Sequence, residues 1–423
     1  MAETNKLRRF RNRSPLFWQN LGLAALVSLY AVLTLLPFFS NQTLSALGSD
    51  YRAFWSAGYI ANHWGYPEIY KMQRLSEVQR SITPQADPSD FYPIPAPYLP
   101  VFLVPFQVFA LFPAAISFWI WEICNVAGLI LYLRFFIRRY SPSANIKRLV
   151  LTSMLLMPVF NNLWWGQPGL WLMICAGEFF FNMQRQRFLE AGLWLGGFMF
   201  KPQLLMLILP ALLLQRAGKT ILGFAVSFGL AGAASLALLG VTGLQNYLSL
   251  MSLWGKANSD LQAINPFLMI NWRMLGLHLG SFLTPAVGWI VGVAGTIVTT
   301  LVGLWRWRKP ANTSEGRFAL AVFGLMVATC AAAWHSHQHS LMIAIPTLLY
   351  LQIHNRFPLT MQNLWLFILP ASWVLSIVTG ALMSYGILPQ FNAVGAFITG
   401  TTGLALSLYS LAWAYGRNDE DDW

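Results

Sequence analysis

The stretch Leu16–Phe39, LFWQNLGLAALVSLYAVLTLLPFF, decides the class of this protein because it is apolar over nearly its whole length. A helix needs about 20 predominantly apolar residues to cross a bilayer, and this run is longer. Five basic residues precede it, as in a signal peptide: Lys6, Arg8, Arg9, Arg11 and Arg13. The run is too long for an ordinary signal peptide, so we expect it to remain as a membrane anchor.

The rest of the chain repeats this pattern. Of its 423 residues 56% are apolar and only 10% are charged, whereas a soluble domain carries about 25% charged residues. In lipid every backbone polar group must be satisfied within its own segment, which favours helices. The sequence predicts an all-α, polytopic transmembrane bundle that forms a single domain over residues 1–423. About twelve spans are expected, at residues 17–39, 114–138, 149–165, 167–183, 188–200, 202–215, 220–241, 284–305, 318–334, 340–353, 360–384 and 392–415.

Three segments fall outside this set of spans. The apolar segment Tyr98–Phe112 has only 15 residues, and we interpret it as interfacial or re-entrant. Two connections are long, at residues 40–113 and 242–283, and both are rich in aromatic residues, proline and glycine. Loops of this length are usually functional or disordered, and this composition favours an ordered structure.

The basic residues predict the orientation of the bundle, because cytoplasmic loops carry an excess of Lys and Arg. We expect a bacterial inner-membrane protein with both termini in the cytoplasm. Most of the 27 Lys and Arg residues then lie on the cytoplasmic side of the membrane, and both long loops lie on the outer side. The net charge of +12 is explained by this topology, so nucleic acid is not an expected partner. The basic residues expected on the outer side are Arg52, Lys71, Arg74, Arg80, Lys201, Lys256 and Arg273.

Asp50 is the first candidate for chemistry, within Gly48-Ser49-Asp50-Tyr51-Arg52 just after the first span. A carboxylate at the mouth of a cavity can act as a general base when partial burial raises its pKa. The alternative is that Ser49 or Asp50 caps a helix that continues to about Trp64. The two interpretations are compatible, because a cap would also hold the carboxylate in place.

Later outer segments offer groups that could hold a phosphate or a sugar. Lys201 begins a Lys-Pro-Gln sequence between two apolar runs, and Arg273 ends an Asn-Trp-Arg sequence. Either cation could bind phosphate, lysine as a point charge and arginine as a bidentate fork, or could serve as an interfacial anchor. Gln167, in the turn WWGQP at 164–168, could contact a sugar, and Tyr92 lies in a stiff aromatic-proline loop.

Three histidines occur within five residues, His335, His337 and His339. We expect them to contact phosphate or sugar, or to pack at an interface. A metal site is disfavoured, because on a helix this spacing directs His335 and His339 away from His337. The three cysteines each lie in an apolar run, where they fit as small packing residues, with no disulfide framework.

Two further observations bear on the chemistry. Glu122 is a carboxylate inside a predicted span, where an ionisable group usually faces a cavity or a partner; its role stays open. The sequence holds no Gly-rich nucleotide-binding loop of either common type, so we expect any donor to be a lipid rather than a sugar nucleotide.

Several short motifs, in order, resemble those of glycosyltransferase family 87. They are DYRAFWSAG at 50–58 with PEIY at 67–70, FYP at 91–93, GQP at 166–168, KPQ at 201–203, NWR at 271–273 and HSHQH at 335–339. Members of this family are polyprenyl-phosphate-mannose-dependent mannosyltransferases with the GT-C membrane fold. The resemblance covers most of the chain.

This resemblance implies that the protein acts in the cell envelope, and it also implies a reaction mechanism. Asp50 would deprotonate an acceptor hydroxyl, which would attack the anomeric carbon of a polyprenyl-phosphate sugar with inversion. Lys201, Arg273 and His337 would stabilise the charge on the leaving phosphate, with His335, His339, Gln167, Arg52 and Tyr92 as further donor-binding residues. Many relatives in the wider superfamily carry paired acidic residues in this loop. In this sequence Asp50 is followed by Tyr51-Arg52 instead, which argues against a bound divalent metal. The resemblance implies no cofactor.

Two other functions remain possible at this stage. A flippase or transporter of lipid-linked sugars would also have many spans, but it would place ionisable groups near the bilayer midplane and often show repeated halves. A purely structural subunit would leave the two long loops and the histidine cluster unexplained. The sugar and the acceptor, whether glycolipid, polysaccharide or protein, are not written in the sequence.

Overall fold

The computed structural model describes residues 14–83, 91–256, 266–308, 314–389 and 393–416. The described chain is helical, and no β-strand occurs in it. The N-terminal basic residues and the side chain of Lys256 lie outside the described parts. The α-helices are Pro15–Phe39 (α1), Tyr51–Trp64 (α2), Met72–Ile82 (α3), Val104–Phe109 (α4), Ala114–Tyr140 (α5), Ile146–Met154 (α6), Met157–Trp165 (α7), Gly169–Gln184 (α8), Phe188–Leu195 (α9), Ile208–Leu214 (α10), Gly218–Lys256 (α11), Trp272–Phe282 (α12), Pro285–Trp305 (α13), Glu315–Ala332 (α14), Ile345–Ile353 (α15), Leu359–Ser384 (α16) and Val394–Gly416 (α17).

Short 3₁₀ helices connect several of these elements. They lie at Tyr66–Tyr70, Pro100–Phe102, Gly196–Phe200, Pro202–Leu205, Pro266–Leu268, Arg306–Arg308 and Gln338–Ala344. The Tyr98–Phe112 segment contains one such turn and α4, so its helices are too short to span a bilayer.

Seven helices in the described chain are long and apolar enough to cross a membrane: α1, α5, α11, α13, α14, α16 and α17. The expected helical bundle with several membrane spans is therefore confirmed, but the expected number of about twelve spans is not. The remaining predicted spans are short or broken helices. A break divides 149–165 before α7, which begins at Met157 with Pro158 as its second residue. Turns of 3₁₀ helix interrupt 188–200, 202–215 and 340–353. Apolar composition alone does not separate a buried short helix from a membrane-spanning one.

The long connections are themselves largely helical. Helix α11 continues past the predicted end at residue 241, with a break at Gly240, where φ is 60°. Beyond this break Asn246 donates from its Nδ2 to the carbonyl of Pro67 at 2.9 Å, and Tyr247 packs edge-on against Tyr70. The second long connection therefore packs onto the first one.

Helix α14 forms the centre of the bundle, because most of its residues are buried whereas each of the other six long helices has less than half buried. Small residues allow this close packing; at Gly324, for example, a Cβ atom would lie 2.3 Å from the ring of Tyr415 in α17. The C-terminal end of α14 is followed by residues 333–339, called the histidine segment because it contains His335, His337 and His339.

The cysteines differ from one another in their environment. Cys175 and Cys330 are buried, as expected for packing residues, but Cys124 is exposed on α5. The expectation was wrong for Cys124 because an apolar run does not reveal which helix face points towards lipid.

Gly58 provides a test of the packing of the first long connection. A Cβ atom there would lie 2.1 Å from the backbone oxygen of Phe106, so α2 could not keep its present distance from α4. We expect Gly58→Ala to lower the free energy of unfolding by about 1–3 kcal/mol, measured as the thermal midpoint in detergent.

The matched control is Gly229→Ala in α11, where nothing lies within 4 Å of the added atom. Alanine is the better helix former by about 1 kcal/mol, so this midpoint should stay or rise. Equal losses in both variants would contradict the packing described for Gly58.

Candidate active site at the end of the first helix

Asp50 occupies the N-cap position of α2, but its side chain makes no capping hydrogen bond. The carboxylate instead accepts a hydrogen bond at Oδ2 from Nε2 of Gln167, at 2.6 Å. Burial raises the pKa of Asp50, while Gln167, Lys201 and Arg52 oppose that rise. The sequence interpretation as a cap was thus right about the position and wrong about the contact, which leaves the carboxylate available for chemistry.

The turn that carries Gln167 is fixed from several sides. Gly166 has a φ of 70°, and a Cβ there would lie 2.7 Å from Cβ of Tyr51. The amide of Gln167 donates to the carbonyl of Asn162 at 2.8 Å, and the indole of Trp121 donates to the carbonyl of Gly166 at 3.1 Å. Because the amide of Gly48 also donates to the carbonyl of Trp164, the turn and the loop before α2 form one unit.

Lys201 lies between two 3₁₀ helices and is buried, with 7% of its surface exposed. Its Nζ donates to Oε1 of Gln167 at 3.0 Å and lies 2.9 Å from Nε2 of His339. Burial lowers the pKa of Lys201 to about 8, against the opposing effect of Asp50. The structure therefore joins four side chains in a line, in the order Asp50, Gln167, Lys201, His339.

The histidine segment is not helical where it leaves α14, and this changes the sequence interpretation. The ring centroids of His335 and His337 are 4.9 Å apart, and those of His337 and His339 are 5.7 Å apart. The expectation that His337 points away was wrong because it assumed a helix. In the described chain no group of three or more His, Cys, Asp or Glu residues is arranged to hold a metal ion.

The surroundings of these histidines favour their neutral form. Burial lowers the pKa of all three, to about 4 for His337, and the positive charge of Lys201 contributes to each shift. Nδ1 of His337 faces the carbonyl of Leu268 at 3.3 Å, so that nitrogen must carry the hydrogen. The histidines can offer single hydrogen bonds to a ligand, but no positive charge.

Arg273 is brought to this segment, where its guanidinium lies 4.3 Å from the ring centre of Trp334. The preceding residue Asn271 caps α12 by accepting from the amide of Met274 at 2.9 Å. The Nδ2 of Asn271 donates to the carbonyl of Ala333 at 2.8 Å, and the Ile270 amide donates to Ser336. The predicted Asn-Trp-Arg motif therefore anchors the histidine segment, and Arg273 has no described contact with Lys201.

Arg52 lies beside the carboxylate of Asp50, and Tyr92 lies beside Arg52. Arg52 is buried, its Nε donates to the carbonyl of Ser49 at 3.1 Å, and it interacts electrostatically with both Asp50 and Tyr92. Burial lowers the pKa of Arg52, and the two neighbours oppose this. Tyr92 is exposed, so it lies at the rim of the site.

Tyr98 is a site residue that the sequence reasoning missed. Its ring stacks on Phe200 with centroids 4.3 Å apart and on Phe54 with centroids 5.2 Å apart. Phe200 directly precedes Lys201, and Phe54 lies one turn after Asp50, so the three rings link the elements that carry the acid and the cation. Burial raises the pKa of Tyr98, and Asp50 adds to the rise. The only signal in the sequence was its place beside the aromatic-proline loop.

Glu122 is not part of this line. It is buried in α5, next to Asn125, and within the described residues Oε1 of Glu122 has no hydrogen-bond partner. Its role is not assigned by these contacts.

Comparison with known proteins supports a single family. The model for glycosyltransferase family 87 matches residues 97–333, which is more than half of the chain. Gln167, Lys201 and Arg273 fall inside this range, Asp50, Arg52 and Tyr92 precede it, and the three histidines follow it. No curated protein and no solved structure is similar enough to the chain to count as a match.

Asn271 should stabilise the site in two separable ways. Asn271→Ala removes the cap, which costs about 0.5–2 kcal/mol. It also removes the hydrogen bonds from Nδ2 to the carbonyls of Ala333, at 2.8 Å, and Trp334, at 3.2 Å, which contribute about 1 kcal/mol each. Asn271→Ser keeps a capping oxygen but cannot reach the carbonyls. We expect the order of thermal midpoints to be wild type, then serine, then alanine; identical midpoints would show that Asn271 does not anchor the segment.

Proposed function

The chain belongs to glycosyltransferase family 87, and we propose that it transfers a sugar from a polyprenyl-phosphate donor to an acceptor hydroxyl, with Asp50 as general base. Family membership assigns the chain to the membrane glycosyltransferases rather than to the transporters of lipid-linked sugars. The observation that supports this mechanism best is the line Asp50–Gln167–Lys201–His339, in which a half-buried carboxylate and a buried ammonium are both hydrogen-bonded to Gln167 and do not form a direct ion pair.

The chemistry follows from the two ends of this line. Oδ1 of Asp50 takes the proton of the acceptor hydroxyl as the acceptor oxygen forms its bond to the anomeric carbon. The bond from that carbon to the phosphate oxygen breaks, and its electrons stay on the phosphate. Lys201 stabilises the developing negative charge, since a fixed cation in a buried site stabilises such charge more strongly than it would in water. Attack from the side opposite the phosphate inverts the configuration.

The neutral histidines fit hydrogen bonding to the donor better than charge neutralisation. The acceptor of a hydrogen bond from Lys201 must present a lone pair, so Nε2 of His339 is unprotonated in this arrangement. We assign His335, His337 and His339 to sugar or phosphate oxygens, and Arg273, held over Trp334, to a more distant part of the donor. Mannose is the proposed sugar, from the resemblance to this family.

The proposed location is the outer face of the inner membrane. Arg148 hydrogen-bonds to Gln19 near the beginning of α1, whereas Asp50 follows the end of that helix. The intervening helix is about 30 Å long at 1.5 Å per residue, which is about the thickness of the hydrocarbon layer. Arg139, paired with Glu178, also lies at the end of α5 remote from the site. Because basic residues favour the cytoplasm, the site would face outwards.

Replacement of Asp50 by asparagine tests the base. Purified protein in lipid nanodiscs would be incubated with a panel of radiolabelled polyprenyl-phosphate sugars and acceptors. We expect Asp50→Asn to lower turnover by at least about 100-fold, since general base catalysis contributes 10²–10⁴-fold. Glu77→Gln, which removes an exposed acid paired with Arg74, is the matched control and should keep wild-type turnover. Equal turnover of Asp50→Asn and wild type would remove Asp50 from this role.

The pH dependence of kcat/KM should be bell-shaped. Asp50 must be deprotonated, so activity falls as the pH drops through its raised pKa. Lys201 must be protonated, so activity also falls as the pH rises through about 8. Lys201→Arg should remove the alkaline fall, because a guanidinium stays charged above pH 12. An alkaline limb that is unchanged in this variant would show that Lys201 is not the titrating group.

A further inference from the structure

The side chain of Gln167 uses both ends of its amide on protein partners. Nε2 donates to Oδ2 of Asp50 at 2.6 Å, and Oε1 accepts from Nζ of Lys201 at 3.0 Å. Only 5% of the residue is exposed. This arrangement leaves the amide poorly placed for the sugar contact that the sequence suggested, and it points to a different role.

Asp50 and Lys201 do not form a direct ion pair. Among the described residues, the pairs closer than 4.0 Å all lie elsewhere: Lys71–Glu68, Arg74–Glu77, Arg139–Glu178 and Arg187–Glu190. Opposite charges in a buried environment attract each other strongly, and lysine has a long, flexible side chain. A group between them must therefore hold the two charges apart, and within the described parts of the chain Gln167 is the side chain that hydrogen-bonds to both.

A direct ion pair between Asp50 and Lys201 would make each of them less effective in the proposed reaction. A carboxylate bound to an ammonium is a weaker base, because the adjacent charge stabilises its ionised form. An ammonium neutralised by a carboxylate attracts a phosphate less strongly. We propose that Gln167 is a positioning residue that keeps Asp50 and Lys201 from pairing, so that one stays available to the acceptor hydroxyl and the other to the leaving phosphate. This inference rests on the proposed function.

An amide fits this position for a chemical reason. It carries no charge, its donor end suits the carboxylate and its acceptor end suits the ammonium. It is also held rigidly, because the Gln167 backbone donates to Asn162 and lies between Gly166 and Pro168. The side-chain amide is itself buried and is held at both ends by its hydrogen bonds to Asp50 and Lys201.

The other groups around the two charges do not provide this separation. Arg52 faces Asp50 from α2, with Tyr92 beside it, and Tyr98 approaches from the segment before α4. On the other side Lys201 faces His339, and His335 and His337 lie within the same electrostatic environment. All of these remain in place when Gln167 alone is changed.

Two substitutions of Gln167 should move the pH profile in opposite directions. Gln167→Ala removes the spacer, so Lys201 can reach Asp50. The pKa of the carboxyl then falls and that of the ammonium rises, and both limbs of kcat/KM move outwards by about one pH unit, with a lower kcat. Gln167→Met keeps the volume but removes both hydrogen bonds. The pKa of Asp50 then rises and that of Lys201 falls, so both limbs move inwards.

The experiment measures kcat/KM across pH 4–10 for both variants in the same nanodisc assay. Gln184→Ala is the matched control; this residue lies at the other end of α8, where its Oε1 accepts from Tyr140 at 2.7 Å, and its profile should match wild type. A residue with only a structural role would lower activity without moving the limbs apart in one variant and together in the other. If the acidic and alkaline limbs of the kcat/KM profile lie at the wild-type pH in both Gln167 variants, the inference is wrong. If the alanine variant fails to fold, the profile of Gln167→Met alone decides the question.

Failure of the inference can be distinguished from failure of the proposed function. If Asp50→Asn keeps turnover, Asp50 is not the base and there is no base for Gln167 to protect, so both fall. If Asp50→Asn is inactive while the Gln167 variants keep both limbs in place, only the spacer role is wrong.

Discussion

The two hydrogen bonds of Gln167, donated to Asp50 and accepted from Lys201, are the interaction on which the rest of the site depends. They bring together residues from three distant parts of the sequence and hold two opposite charges near each other without a direct ion pair. The supporting contacts serve this arrangement. Gly166 lets the turn approach Tyr51, and the amide of Gly48 fastens the Asp50 loop to the same turn. The position of the acid is thus set by backbone geometry rather than by a helix cap.

Burial determines the electrostatic character of the site. It raises the pKa of Asp50 and lowers that of Lys201 to about 8, so both groups are moved towards the pH range in which a transferase works. It also keeps the three histidines neutral, and this leaves Lys201 as the fixed charge in contact with the line of side chains. The segment that carries His339 follows the central helix α14, whose residues are mostly buried, and His339 itself is buried.

The structure brings together four of the candidate residues that the sequence had placed on one side of the membrane, whereas the expected number of spans was too high. Asp50, Gln167, Lys201 and His339 were all expected on one face, because the distribution of basic residues placed their loops on the same side of the membrane. The spans were overcounted because an apolar run such as 188–200 looks the same whether it crosses lipid or packs within the protein. The histidine geometry was wrong because a regular helix was assumed where α14 ends. Tyr98 was missed because stacking on Phe200 depends on tertiary contacts that no local pattern reveals.

The range of the family match and the extent of the site differ, and the contacts explain how they belong together. Gln167 and Lys201 lie within the matched residues 97–333, whereas Asp50 and His339 lie outside them. Yet Gln167 contacts Asp50, and Lys201 contacts His339, at hydrogen-bonding distance. Asn271, also within the match, ties down the start of the histidine segment beyond it. Residues inside the match therefore have polar atoms bonded to partners outside it, so the connected set of side chains extends beyond the matched range. Asp50 belongs to this set because, among the described residues, it is the partner of the Gln167 donor end.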